Sequence, residues 1–264
     1  MDPRDLRRYL PERTRPTVTS SPGYPLSRTS SRRPRILLFH GGVESSDVPE
    51  WPIDPGFLRV GWAWLRLIQT LGRQHVVVNL LRNRVMGWNG TDGRIPDPIV
   101  DARWLLERLT ARHPDAPIVL VGHSMGARTA VHVADHPGVR GVVVLAPWVE
   151  PEDPVAPLQG RSLFMIQGRR DLQTPPAESL AYARRARAHG VATGRVEIEG
   201  AGHGLVTRAG TAHAWMVAAV AQMLGLEAQG SMVVAERMRG SGEEGLVGTD
   251  VLRRRIRHLT SPIG

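Results

Sequence analysis

The ten residues 118–127 constrain the fold of this chain more than any other stretch. They read IVLVGHSMGA, an apolar run followed directly by a Gly-x-Ser-x-Gly segment. The run is typical of a buried parallel strand, and a helix is predicted to begin straight after Ser124. So tight a turn strains the backbone at the serine, and Gly122 and Gly126 supply the minimal side chains it needs. The serine hydroxyl is therefore predicted to stand clear of the sheet, above the positive end of a helix.

In this setting the segment resembles the nucleophile elbow of the α/β-hydrolase family. Gly126, Ala130 and Ala134, each four residues apart, give the following helix the small-residue face that the elbow requires. The resemblance covers residues 35–225 and implies an α/β fold. Its mostly parallel central sheet is expected to have about six strands, with helices on both faces. The resemblance also implies that Ser124 is a nucleophile.

Two further residues match the family's catalytic apparatus in its chain order of serine, acid and histidine. Asp171 follows an apolar strand at 163–167, and His203, flanked by glycines, follows a strand at 195–198. The resemblance implies that His203 is the general base and that Asp171 orients it. Some relatives carry the acid after the preceding strand, which leaves three alternatives here: Glu150, Glu152 and Asp153.

A His-Gly-Gly turn at 40–42 follows the apolar strand that begins at residue 35. In the family such a turn opens the oxyanion loop, because glycines let backbone N–H groups approach a ligand closely. The resemblance implies one oxyanion donor from the N–H of Met125 and a second from the N–H of Gly42 or Val43.

The segment between the strand that ends at residue 147 and the strand that begins at residue 162 is short and holds three prolines. It can form a loop but not a helical cap, so no sizeable cap domain is expected and the active site should be open. Trp88 and Trp148 both follow strand ends, and we expect them to form pocket walls.

Outside this domain the chain changes character. Residues 1–34 are rich in Arg, Pro, Ser and Thr and are predicted to be a disordered arm. No alternating apolar run precedes Ile36, so no antiparallel strands are expected before it. Residues 226–264 form a tail with no predicted element. Within the domain, a helix over 55–71 carries an apolar stripe at helical spacing, made of Leu58, Trp62, Leu65 and Ile68.

Composition narrows the functional classes. The formal net charge is +9, yet all 34 basic residues are arginine, which looks like the codon bias of a GC-rich genome. Nucleic acid is therefore not an expected partner. The absence of cysteine excludes a thiol nucleophile and fits a cytoplasmic protein, and no signal peptide or membrane span is predicted. No histidine or acid cluster shows ligand spacing, so neither a metal nor a cofactor is expected.

The resemblance thus implies a serine hydrolase that cleaves a carboxylic ester or thioester of a small molecule. The reaction would pass through an acyl-enzyme on Ser124. Acyltransferase or haloperoxidase use of the same three residues is an alternative, as is a non-catalytic binding protein that keeps the fold.

Overall fold

The computed structural model describes residues 16–22, 32–91, 93–240, 243, 245 and 246. Seven strands form one sheet in the order β1-β3-β2-β4-β5-β6-β7. Strands β2 to β7 run parallel to one another, and β1 pairs antiparallel with β3. The strands are β1 Thr17–Ser20, β2 Arg35–Phe39, β3 Val77–Arg82, β4 Ile118–His123, β5 Val139–Leu145, β6 Ser162–Gly168 and β7 Ala192–Ile198.

Helices cover both faces of the sheet, which explains why its central strands are continuous apolar runs. Val60 of α1 and Trp215 of α5 belong to the core on one face, and Leu105 of α2 and Tyr182 of α4 to the core on the other. The helices are α1 Pro55–Leu71, α2 Asp97–Arg112, α3 Met125–His132, α4 Pro176–Ala188, α5 Ala209–Leu224 and α6 Ser231–Arg239.

The register of the parallel strands brings three strand ends to one edge of the sheet. Phe39 of β2 lies beside Gly122 of β4, and His123 lies beside Leu145 of β5. The loops that follow β2, β4 and β5 therefore start side by side. Ligands of open α/β sheets bind at this carboxyl edge.

The expectation that no antiparallel strand precedes β2 is wrong, and the sheet has seven strands instead of about six. Strand β1 lies at the sheet edge and is only half-buried at alternate positions, so it needs no apolar run. Side chains help to hold it there: Asn79 Nδ2 donates to Ser20 Oγ at 2.8 Å, and Arg82 Nε donates to Thr17 Oγ1 at 2.8 Å. The rest of the predicted arm, 1–15 and 23–31, lies outside the described residues.

Helix α1 turns a different face to the core from the one marked by the stripe in the sequence. Its buried residues are Val60, Ala63, Leu67 and Leu71. Leu58, Trp62 and Leu65 are 49%, 70% and 45% exposed. Both sets recur at helical spacing, so the pattern alone did not determine which face packs.

The C-terminal tail contains α6, an element that the sequence did not predict. Val234 of α6 is fully buried in the core beside α5, and Arg237 Nη1 donates to the Arg195 carbonyl of β7 at 3.1 Å. Residues 247–264 lie outside the described residues. Among the helices that the structure describes, none has the length and apolar character needed to cross a membrane.

Candidate active site

Ser124 occupies the corner between β4 and α3 with φ +55° and ψ −119°, in the left-handed region that side chains disfavour. Glycine is required on either side of it, because any side chain there would clash with backbone atoms. A Cβ on Gly122 would lie 2.2 Å from the Gly126 carbonyl oxygen, and a Cβ on Gly126 would lie 2.2 Å from the Phe39 carbonyl oxygen. Any larger residue would therefore push α3 away from the sheet.

Backbone hydrogen bonds hold this strained corner in place. The Ser124 N–H donates to the Leu145 carbonyl at 3.1 Å, and the Ser124 carbonyl accepts from the N–H groups of Ala127 at 3.0 Å and Trp148 at 3.3 Å. The serine is thus tied to β5, to its own helix and to the loop after β5. Such surrounding contacts are what allow a strained conformation to persist.

The structure brings Ser124, His203 and Asp171 together. Ser124 Oγ lies 3.0 Å from His203 Nε2, and His203 Nδ1 lies 3.0 Å from Asp171 Oδ2. The imidazole therefore contacts the serine through one nitrogen and the carboxylate through the other. This is the geometry in which a histidine can take a proton from a hydroxyl while a carboxylate fixes its tautomer.

Asp171 accepts hydrogen bonds on both of its oxygens. Oδ1 accepts from the N–H groups of Gln173 and Thr174, each at 3.0 Å, and Oδ2 accepts from Gln167 Nε2 at 2.9 Å and Thr174 Oγ1 at 2.8 Å. Burial alone would raise the pKa of Asp171, but the hydrogen bonds from His203 and Thr174 outweigh it and lower the pKa. The carboxylate is therefore ionised and fixed in orientation.

Thr174 is a site residue that the sequence analysis missed. Its hydroxyl lies 3.1 Å from His203 Nδ1 as well as 2.8 Å from Asp171 Oδ2, so it sits at the junction of the two catalytic candidates. The signal in the sequence was weak. A threonine three residues after an aspartate in a loop is typical of an ordinary turn, because Asp side chains often accept from nearby backbone N–H groups.

The alternative acids after β5 have other partners. Arg128 Nε donates to Asp153 Oδ1 at 2.9 Å, and Arg128 Nη2 donates to Glu150 Oε2. Asp153 Oδ1 also lies 2.8 Å from His132 Nε2, and Glu152 is exposed. Asp171 is thus the carboxylate that the structure places against His203.

The two tryptophans expected as pocket walls flank Arg128 instead. The guanidinium carbon lies 4.6 Å from the ring centroid of Trp88 and 4.7 Å from that of Trp148. Trp88 is only 6% exposed, and neither ring lines the apolar cavity beside the elbow. Both rings therefore lie in cation–π contact with the buried Arg128.

The candidate oxyanion donors differ in how free they are. The Val43 N–H donates to the Met86 carbonyl at 3.0 Å, so that group is already committed within the loop. This leaves Gly42 as the remaining candidate donor of the loop. Met125 is the first residue of α3, where an N–H has no preceding turn to bond to.

His40, at the start of the glycine turn, is buried and fixed at both nitrogens. Nδ1–H donates to the Gly41 carbonyl at 2.7 Å, and Nε2 accepts from the Asn83 N–H at 3.0 Å. Burial lowers the pKa of His40 to about 4, so the ring is neutral at physiological pH. The Glu50 carboxyl lies beside it, with Oε1 3.7 Å from Nδ1, and burial raises the pKa of Glu50 to about 7.

His123, inside the elbow, contacts the loop that carries His203. Its Nε2–H donates to the His203 carbonyl at 3.0 Å, and the two rings lie 5.1 Å apart. Burial, reinforced by His203, lowers the pKa of His123 to about 3. A neutral His123 therefore acts as a fixed donor to the backbone of the residue that contacts Ser124.

An apolar cavity of about 310 Å³ lies beside the elbow, between the amino-terminal parts of α1 and α5. It contacts the elbow through Gly122 and His123 and the histidine loop through Gly204 and Leu205. None of the described lining residues is acidic. The other lining residues are Pro55, Arg59, Val60, Trp62, Ala63, Val121, Leu145, Val206, Ala209, Ala212 and His213.

Comparisons with known proteins agree with this architecture. A sequence model of the S33 serine aminopeptidase family matches residues 86–185, which contain Ser124 and Asp171 but end before His203. No curated protein matches the chain in sequence.

Several solved structures superpose on the chain. A protein of unknown function from Agrobacterium tumefaciens, described as a candidate α/β hydrolase, is 16% identical with a TM-score of 0.61, covering 79% of this chain and 91% of its own. A lidless α/β serine hydrolase from Xanthomonas campestris is 15% identical, with a TM-score of 0.54 and coverages of 81% and 90%. An esterase from Pyrobaculum calidifontis is 16% identical, with a TM-score of 0.55 and coverages of 80% and 86%.

The chain is therefore an α/β-hydrolase-fold protein. The fold class predicted from the elbow motif is confirmed, including the mostly parallel sheet with helices on both faces.

Proposed function

We propose that this protein is a serine hydrolase that cleaves a carboxylic ester or thioester of a small molecule through an acyl-enzyme on Ser124. One observation carries the proposal: Ser124 Oγ, held at a strained corner, lies 3.0 Å from His203 Nε2, whose other nitrogen lies 3.0 Å from Asp171. A binding protein would gain nothing from maintaining a strained serine in contact with an oriented base.

In the acylation step, Ser124 Oγ attacks the carbonyl carbon of the substrate while His203 Nε2 takes the hydroxyl proton. The carbonyl π electrons move onto oxygen, and the N–H groups of Met125 and Gly42 donate to that oxyanion. Asp171 stabilises the imidazolium that forms and stays ionised itself. The imidazolium then returns its proton to the departing alcohol or thiol, which leaves the acyl group on Ser124.

Deacylation repeats the same moves with water in place of the serine. His203 takes a proton from the water as the water oxygen attacks the acyl carbon. The imidazolium then protonates Ser124 Oγ as the acyl–oxygen bond breaks. The products are the free enzyme and a carboxylic acid, which releases its proton to solvent as the carboxylate, and no cofactor takes part in the proposed cycle.

The match to an aminopeptidase family raises amide cleavage as a second candidate. The cavity beside the elbow argues against it. An aminopeptidase must hold the cationic amino terminus of a peptide, yet the cationic Arg59 lines this cavity and none of its described lining residues is acidic. A cationic substrate group would be repelled there, so we favour an ester or thioester.

The test is covalent labelling of the purified full-length protein with an uncharged alkyl fluorophosphonate, located by peptide mass spectrometry. We expect one label, on Ser124, that is lost in Ser124→Ala and reduced at least a hundredfold in rate in His203→Ala. The exposed Ser45 is the matched control, and Ser45→Ala should label at the rate of the unaltered protein.

Two results would overturn the proposal. One is a folded protein that takes no label, and the other is labelling that survives Ser124→Ala. If labelling is as expected, a panel of short-chain esters, thioesters and aminoacyl amides should show turnover of the first two classes and not of the third.

A further inference from the structure

Among the described residues that line the cavity beside the elbow, the arginine is Arg59 of α1. Its guanidinium is close to the catalytic loop, because a Cβ on Gly204 would lie 3.2 Å from Arg59 Nε and 3.3 Å from Nη2. Gly204 is the residue directly after His203. A group bound in this cavity would thus contact a cation and lie beside the histidine that serves Ser124.

Arg59 is half-buried, and no carboxylate in the described parts of the chain pairs with it. Some other arginines in buried or half-buried positions do have acidic partners: Arg84 pairs with Asp97 and Asp101, and Arg195 with Glu197. Partial burial without a partner lowers the pKa of Arg59, which reflects the cost of removing a cation from water. An anion brought by a ligand would offset that cost.

The rest of the wall suits an amphiphilic ligand. It is largely apolar, and the other titratable side chains among its described lining residues are two histidines, His123 and His213. Burial, followed by the charge of Arg66, lowers the pKa of His213, so Arg59 is the full cation among the described lining residues. At about 310 Å³ the cavity is at the small end of the range for ligand sites, which suits a short acyl chain.

From this geometry we propose that Arg59 is a specificity residue that binds an anionic group on the acyl chain of the substrate. The substrate class is then the monoester or monothioester of a short dicarboxylic acid. Its apolar methylenes occupy the cavity, and its free carboxylate accepts hydrogen bonds from the Arg59 guanidinium. The inference rests on the proposed serine hydrolase function and assigns a substrate class to that same site.

The test compares two p-nitrophenyl esters of equal length, the adipate monoester with a free carboxylate and its methyl-capped neutral counterpart. For the unaltered protein we expect the higher kcat/KM on the adipate monoester. In Arg59→Gln the ratio of the two kcat/KM values should fall about 10- to 100-fold, the usual size of a lost charged hydrogen bond. The matched control is Arg73→Gln, which removes the same charge from an exposed position directly after α1 and should change the ratio less than twofold.

A binding measurement separates failure of this inference from failure of the proposed function. Adipate is titrated calorimetrically into Ser124→Ala and into Ser124→Ala/Arg59→Gln, neither of which needs to turn over. We expect at least tenfold weaker binding in the double variant. Equal binding by the two proteins, or equal loss on both esters in Arg59→Gln, would overturn the role of Arg59. Absence of fluorophosphonate labelling would instead refute the hydrolase.

Discussion

Replacing Glu50 with glutamine should change how the stability of this protein depends on pH. The Glu50 side chain is 1% exposed and lies beside the fully buried His40. Its Oε2 has no hydrogen-bond partner in the part of the chain that the structure describes. Burial raises the pKa of Glu50 from 4.5 to about 7, with further contributions from Asp54 and Arg82 of opposite sign. Burial lowers the pKa of His40 to about 4, so the two groups are not an ion pair at pH 5 to 6.

The sign of the effect follows from the direction of the pKa shift. Because the pKa of Glu50 is higher in the folded than in the unfolded protein, its favourable contribution is complete below about pH 4.5. That contribution is lost as the pH rises through about 7, where the buried group must ionise. A shift of about 2.5 units corresponds to about 3 kcal/mol at most, of which about 2 kcal/mol is lost between pH 5 and pH 8.5. Glutamine has nearly the same shape and does not ionise, so this loss is absent in Glu50→Gln.

The assay is urea unfolding of the two proteins at pH 5 and at pH 8.5. We expect the free energy of unfolding of Glu50→Gln, relative to the unaltered protein, to increase by about 2 kcal/mol from the lower to the higher pH. Constant effects of the new amide cancel in this difference. Glu152→Gln, at an exposed position, should show no such change. A difference that does not grow with pH would refute the buried, neutral Glu50.

Three further substitutions, two of them with a matched control, test the site and the residues that pack around it. Thr174→Val removes the hydroxyl that contacts both Asp171 and His203, and it should lower kcat/KM roughly tenfold at similar thermal stability. Thr174→Ser should recover the activity, and unchanged kinetics in Thr174→Val would contradict the expectation. Gly126→Ala brings a Cβ to 2.2 Å from a β2 carbonyl and should cost about 3 kcal/mol or more in urea unfolding. Gly61→Ala, in mid-helix with open space around it, should instead stabilise by about 0.5–1 kcal/mol. Arg128→Met leaves the buried Asp153 with His132 and the Glu150 N–H as its partners and should cost about 1.5–3 kcal/mol, the usual size of a lost charged hydrogen bond; a loss below about 0.5 kcal/mol would contradict that expectation.

The parts of the site that the sequence predicted are those with a strong local pattern. Ser124, Asp171 and His203 each follow an apolar strand, and parallel strands bring their carboxyl ends to one edge. Their spatial proximity therefore follows once the strands are recognised. The catalytic roles of these residues stay predictions until they are tested. The same reasoning found the glycine turn but did not decide whether Gly42 or Val43 is the candidate oxyanion donor. That choice depends on a hydrogen bond between the Val43 N–H and the carbonyl of Met86, which is distant in the sequence.

What the sequence did not predict depends on partners far apart in the chain. Strand β1 is held through side chains of β3, some sixty residues away, and carries no apolar run of its own. Helix α1 has two apolar stripes, and packing against α5 and the sheet selects Val60 over Trp62. Trp88 and Trp148 follow strand ends as expected, but both rings pack against Arg128 of α3. A pattern read along one segment does not contain such choices.

Salt should distinguish two kinds of group in this site. The histidines that fix the loops around the catalytic candidates are neutral, whereas the arginine proposed to select the substrate is charged. His40 and His123 are neutral at pH 7, and each fixes a backbone carbonyl through an uncharged hydrogen bond. Salt does not screen such bonds, whereas it weakens attraction between the half-exposed Arg59 and a substrate carboxylate. We therefore expect the rate of labelling by an uncharged fluorophosphonate in 1 M NaCl to stay within about twofold of its value at low salt. The preference for the adipate monoester over its methyl-capped counterpart should fall several-fold. If salt lowered both equally, the positioning of Ser124 and His203 would have to depend on charge.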